Sequence, residues 1–216
     1  MDRQLEKRGH RFVRYADDGN LYVRSERAGQ RVMTSVTQFI TRRLKLKVNE
    51  TKSAVARPWG RKFLGFSFTS GREPKRRIAP QARRRFKARV RELTRRTRGV
   101  SRHGMVRQLA EYLRGWPLTW HVKGWRGYFG FCQTPSVLRD LDSWVRRRLR
   151  GFKWKQWKRG QRRFAERRRL GVGQDLAAQT AGSPHGPWRI SRSPALSFAL
   201  PGVFFAALGL PQLAAR

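Results

Sequence analysis

The sequence is short of acid and almost without thiol. Of 216 residues only 13 are Asp or Glu, against 51 Lys or Arg, and Cys132 is the single cysteine. One thiol excludes an internal disulfide and any Cys-x-x-Cys zinc knuckle, which suits a reducing, cytoplasmic setting. His10, His103, His121 and His185 stand singly, without the spacing a zinc site needs. That argues against an appended His/Cys nuclease domain. Met1 to Arg8 is charged throughout and lacks the apolar core of a signal peptide, so no export is expected. An uncharged run from Pro194 to Ala215 is long enough to cross a bilayer. However, Pro194, Pro201, Gly202, Gly209 and Pro211 break it, and a lone helix so broken would leave backbone groups unsatisfied in lipid. The expectation is a buried helix-turn-helix cap and no membrane partner.

Hydrophobic residues make up 38% of the chain and aromatics 12%, enough for a core and unlike a disordered tail. A formal charge of +38 must recruit a polyanion or leave the surface repelling itself. Nucleic acid is the first expectation, with a membrane surface or a ribosomal role as rivals.

The chain is organised around the run from Arg11 to Arg24. Two short segments rich in β-branched and aromatic residues flank Asp17-Asp18-Gly19-Asn20, and Asp-Gly in that context is a strong hairpin signal, because Gly takes the positive φ of a tight turn. The expected hairpin lifts two adjacent carboxylates to its tip. Turn aspartates commonly just bond their own backbone. Yet adjacent carboxylates repel, so in a polycation they are best tolerated where water or a divalent cation neutralises them, and Mg²⁺ prefers oxygen ligands.

Beyond the hairpin, Val32, Val36, Phe39 and Ile40 predict an amphipathic helix over about 27–44. Leu44 to Val48 reads as a short strand, 49–52 as a turn, and Lys62 to Thr69 as a strand with close backbone approach at Gly65. Gly71-Arg72-Glu73-Pro74-Lys75 is a breaker-rich boundary. Helices follow. Phe86, Val90 and Leu93 mark the first, and Val106, Leu109 and Leu113 the second. A third starts with Thr134 as N-cap and Pro135 at the first helical position, with a stripe of Leu138, Leu141, Val145, Leu149 and Phe152.

Arginine runs are usually solvated faces, but here Arg146-Arg147-Arg148 interleaves with Trp144, Trp154 and Trp157. Cations supply salt-sensitive phosphate attraction, and exposed aromatic planes stack on unpaired bases. Core packing is the plain alternative for the tryptophans.

Tyr15-Ala16-Asp17-Asp18 between two strands resembles the palm hairpin of reverse transcriptases, and the run from Arg11 to Val23 resembles the form found in bacterial group II intron reverse transcriptase/maturases. Val48 to Ser53 resembles that family's Asn-x-x-Lys-Thr element, with Lys52-Ser53 where Lys-Thr is usual. Lys62 to Phe66 resembles the segment that closes the palm near the primer. Residues 76–170 resemble the thumb and maturase-specific domain, and the stretch from Gly182 to Leu196 resembles the family's C-terminal end. One departure is a near-duplication of Leu113-Arg114-Gly115-Trp116 as Val122-Lys123-Gly124-Trp125, which suggests an insertion at Pro117 to Gly124.

The resemblance implies an α+β chain: part of a reverse-transcriptase palm over 1–70, a linker at 71–75, an all-helical thumb and maturase domain over 76–170, and a helical cap over 171–216. It implies Asp17 and Asp18 as catalytic Mg²⁺ ligands, and Tyr15, Lys52, Lys62 and Gly65 as primer and template contacts. For the helical part it implies intron RNA contacts, which we place at Arg84, Arg85, Arg89, Arg146, Arg147, Lys155 and Trp157. Its implied partners are group II intron RNA, a DNA target and an N-terminal reverse-transcriptase fragment. Two-metal nucleotide transfer needs a further carboxylate from an earlier strand, and only Asp2 and Glu6 precede the hairpin. The expectation is therefore a C-terminal piece, starting inside a longer ancestral frame and unable to polymerise alone. An RNA-binding remnant without catalysis, a nonspecific basic nucleic-acid binder and a nonfunctional relic are the alternatives.

Overall fold

The computed structural model describes residues 1–114 and 124–214, apart from the side chains of Arg96 and Arg102. The proposed insertion therefore lies almost wholly outside the described residues. The chain divides into two compact units, Met1–Lys75 and Arg76–Arg216.

The first unit opens with α1 (Asp2–Lys7), followed by the antiparallel hairpin β1 (Arg11–Tyr15) and β2 (Asp18–Tyr22). Next comes α2 (Glu26–Arg42), which is capped by Ser25, whose side chain accepts a hydrogen bond from the Ala28 N–H. Glu26 in its first turn and Arg42 in its last complement the helix dipole. Gly29 is buried on α2, where a Cβ would sit 2.5 Å from Val55 Cγ1, so only glycine lets the loop pack that closely.

No strand forms over 44–48. The Leu44 and Leu46 N–H groups instead turn back to the Phe39 and Ile40 carbonyls of α2, with Lys45 at φ +56°. Local closure of the helix end outcompetes an unpartnered strand. The turn at 49–52 is present, the Asn49 side chain accepting bonds from the Lys52 N–H and the Thr51 hydroxyl. The strand expected over 62–69 shortens to β3 (Phe66–Phe68). Leu64 (φ +49°) and Gly65 (φ +78°) make a tight turn closed by reciprocal Phe63–Phe66 backbone bonds. In this unit only Leu5, Gly29 and Ser67 are buried, while Val13, Tyr15 and Tyr22 stand in solvent.

The second unit begins with the short strand β4 (Arg76–Ile78), whose Arg76 exchanges two hydrogen bonds with Gln133. Then follow α3 (Pro80–Leu93), α4 (Arg102–Arg114), α5 (Trp125–Phe129), α6 (Pro135–Gln156) and α7 (Gly160–Arg169). Four short helices finish it: α8 (Gln174–Ala181), α9 (Pro187–Ile190), α10 (Pro194–Ala199) and α11 (Gly202–Ala207). Their breaks fall at the glycines and prolines that interrupt the apolar tail. Among the described residues no helix is long and apolar enough to cross a membrane.

The predicted apolar stripes are the core. Phe86, Val90 and Leu93 of α3, Val106, Leu109 and Leu113 of α4, and Leu138, Leu141, Val145 and Leu149 of α6 are buried, each adding about 1.5–3 kcal/mol by leaving water. Phe86, Trp125 and Phe129 stack in series, with ring centroids 4.4 and 4.6 Å apart. Thr134 stands at the start of α6 without a side-chain capping bond, because its hydroxyl lies 3.0 Å from Cys132 Sγ instead.

Candidate nucleic-acid interface

Tyr15 pairs with Asp18 across the hairpin, so the turn is Ala16-Asp17. Ala16 takes the positive φ (+53°) that the sequence assigned to Gly19, and Gly19 lies within β2 opposite Arg14. Arg14 fixes this geometry. Its guanidinium donates to the Ala16 carbonyl at 2.8 Å and to both Asp2 carboxylate oxygens at 2.7–3.1 Å. The Arg14 hydrogen bonds hold the Asp2 carboxyl below its usual pKa. Asp2 thus belongs to a helix-to-hairpin clamp.

Asp17 and Asp18 are exposed at the tip, and among the described residues no hydrogen bond or ion pair joins either to another side chain. Tyr15 is 64% exposed beside them. Lys52 and Lys62 are exposed, and Arg61 donates to the Lys52 carbonyl, drawing those two segments together. Gly65 is half-buried in its turn.

In the second unit the basic residues separate into two populations. Arg84 and Arg85 on α3 face solvent, while Arg89 pairs with Glu92. Lys155 near the end of α6 is exposed. Arg146 is half-buried. Arg147 stacks at 3.8 Å on the Trp188 ring and donates to the Trp188 carbonyl and Ser191 Oγ, so much of its bonding capacity is used within the fold. Loss of solvent and the nearby Arg192 push its pKa down. Arg148 donates to Thr94 Oγ1, and Arg150 to the Leu200 carbonyl and Ser197 Oγ. These arginines are struts between α6 and its neighbours.

Trp157 departs furthest from the sequence reading. It is 2% exposed, packed edge-on to Trp154 at 6.4 Å, so it offers no face to a base. Its Nε1–H is buried without an acceptor among the described residues. The chain folds back at Lys158, with φ +28°, into α7, and a cleft of about 390 Å³ opens at that junction. Lys153, Lys155, Lys158 and Arg162 line it, with Glu166 the lone acid. Lys158 and Arg162 were not singled out from sequence. The one hint was a cluster of basic residues around Gly160, at the point where the α6 periodicity stops.

Residues 118–171 match the model of the group II intron maturase-specific domain, and residues 1–68 match that of reverse transcriptase (RNA-dependent DNA polymerase). Together the two matches are consistent with a group II intron reverse transcriptase/maturase fragment. No curated protein matches it significantly. The reverse-transcriptase match spans the hairpin and Lys52, Lys62 and Gly65, while the maturase match spans α5, α6 and α7 with the cleft between the last two. Arg84, Arg85 and Arg89 lie outside both matches.

The family implies Mg²⁺. Asp17 and Asp18 suit one largely hydrated ion, since Mg²⁺ is commonly held by one or two carboxylates plus water. A two-ion clamp does not fit, because among the described residues no three acids, histidines or cysteines gather within reach of one ion.

Proposed function

We propose that the chain binds group II intron RNA through its helical unit and assists the RNA to fold for splicing. The observation that carries this reading is the maturase-specific match over α5 to α7, where Lys155, Lys158 and Arg162 are exposed and have no acid bonded to them among the described residues. Such cations attract phosphate at a cost in counterions, so binding is steeply salt-dependent. The test is binding of labelled intron RNA at about 0.2 M salt, competed with unrelated RNA of equal length, where weak nonspecific attraction is suppressed. Resistance to competition supports intron recognition. Equal competition supports a nonspecific basic binder and overturns the reading.

A second reading rests on the exposed tip carboxylates. With an N-terminal reverse-transcriptase polypeptide supplying further carboxylates, Asp17 and Asp18 would hold Mg²⁺ for RNA-directed DNA synthesis at a DNA target. The chain alone is expected to extend no primer. Extension by the isolated chain, lost in Asp17→Ala, would overturn that.

A further inference from the structure

We infer that the cleft between α6 and α7 is the seat of a single RNA strand, its phosphates held by Lys155, Lys158 and Arg162. This deepens the RNA-binding reading above and rests on it.

Size and charge both select the occupant. About 390 Å³ is at the small-molecule end of binding clefts, which run about 300–1,000 Å³, so a single nucleotide fills it while a duplex could only lie across its mouth. Four cations face one acid there, and that acid, Glu166, already accepts a hydrogen bond from Arg169 at 3.2 Å. Lys155, Lys158 and Arg162 are exposed, while Lys153 lies 5.7 Å over the Trp157 ring and steadies the wall. Two further features lie at the cleft. Trp157 lies in its wall, its indole N–H buried and without an acceptor among the described residues, which is rare in folded proteins. Lys158, a non-glycine residue, is held at positive φ where the two helices meet.

The test uses the full chain and a single-stranded RNA 20-mer titrated at several salt concentrations. The cleft variant is Lys155→Gln/Lys158→Gln/Arg162→Gln, and its charge-matched control is Arg139→Gln/Arg189→Gln/Arg192→Gln, all at exposed positions. Each phosphate contact on a single strand contributes about 0.7 to the slope of log affinity against log salt, so the cleft variant should lose about 2 and the control less than 1. Far-UV circular dichroism verifies equal helix content. The indole N–H resonance of Trp157, assigned with Trp157→Phe, should move when RNA is added. A cleft variant that matches the control, or an unmoved resonance, overturns the cleft while leaving RNA binding intact. A wild-type chain that does not bind at 0.2 M salt overturns the RNA reading and the cleft together.

Discussion

The carboxylate of Asp142, buried on α6, accepts hydrogen bonds from the Leu213 N–H at 2.9 and 3.0 Å and from the Ala214 N–H at 3.0 Å. One side chain thereby fastens the end of the described chain to the middle of the longest helix. Asp142→Ala removes the acceptor and leaves two backbone donors without it, at roughly 1–3 kcal/mol for the buried one. Thermal unfolding should show a lowered midpoint. Asp142→Asn, which keeps one acceptor oxygen, should lose less.

Arg167 is fully buried with no carboxylate paired to it among the described residues. It donates to the Arg163 and Ala177 carbonyls and lies 5.1 Å over Trp154, while one guanidinium nitrogen, Nη1, is without a partner among the described residues. Burial, and then repulsion from Arg163, pull its pKa down to about 10. The charged form is therefore disfavoured in the folded state, and the unfolded chain binds the extra proton between about pH 10 and the usual arginine value. The resulting penalty is complete below pH 10 and relieved as pH rises through that window. Arg167→Met, of similar length and uncharged, should be neutral or stabilising at pH 7. Its advantage over wild type in urea unfolding should shrink above pH 10.

Gly29→Ala places a methyl within 2.5 Å of Val55 Cγ1. Overpacking of this kind costs about 1–3 kcal/mol, against about 1 kcal/mol gained in helix propensity. The net expectation is a less stable first unit with an unchanged second one. Hydrogen exchange resolves this, with faster exchange in α2 and no change in α6.

Asp17→Ala/Asp18→Ala removes two exposed carboxylates that bond to no other side chain among the described residues, so the folding free energy should change by less than about 0.5 kcal/mol. Paramagnetic Mn²⁺, standing in for Mg²⁺, should broaden the amide resonances of residues 16–19 in wild type and spare them in the double variant. Equal broadening in both would place the ion elsewhere.

The hairpin and the helical stripes were legible because each is a local pattern. Val13, Phe12 and Tyr22 read as strand without reference to anything distant, and Phe86, Val90 and Leu93 as one helix face. The turn was misplaced by propensity, since Gly19 is the better positive-φ residue. Pairing of Tyr15 with Asp18 and the Arg14 bond to the Ala16 carbonyl put Ala16 there instead. Arg147, in the run Arg146-Arg147-Arg148, read as an RNA contact because the groups that receive it and Arg148, Trp188 and Thr94, are far away in sequence. Trp157 failed for the same reason. Its burial is created by the backward fold of the chain after α6, and no helical period records that.

The scarcity of buried residues in the first unit sets an order of events under proteolysis. With Leu5, Gly29 and Ser67 alone enclosed, little apolar area must be re-exposed to open residues 1–75, whereas opening the second unit releases three helices' worth of core. A protease that samples transient openings meets the hairpin and α2 first and reaches α6 last. Turnover of this chain would begin at its carboxylate-bearing end and leave, as the longest-lived product, a compact basic body without Asp17 and Asp18.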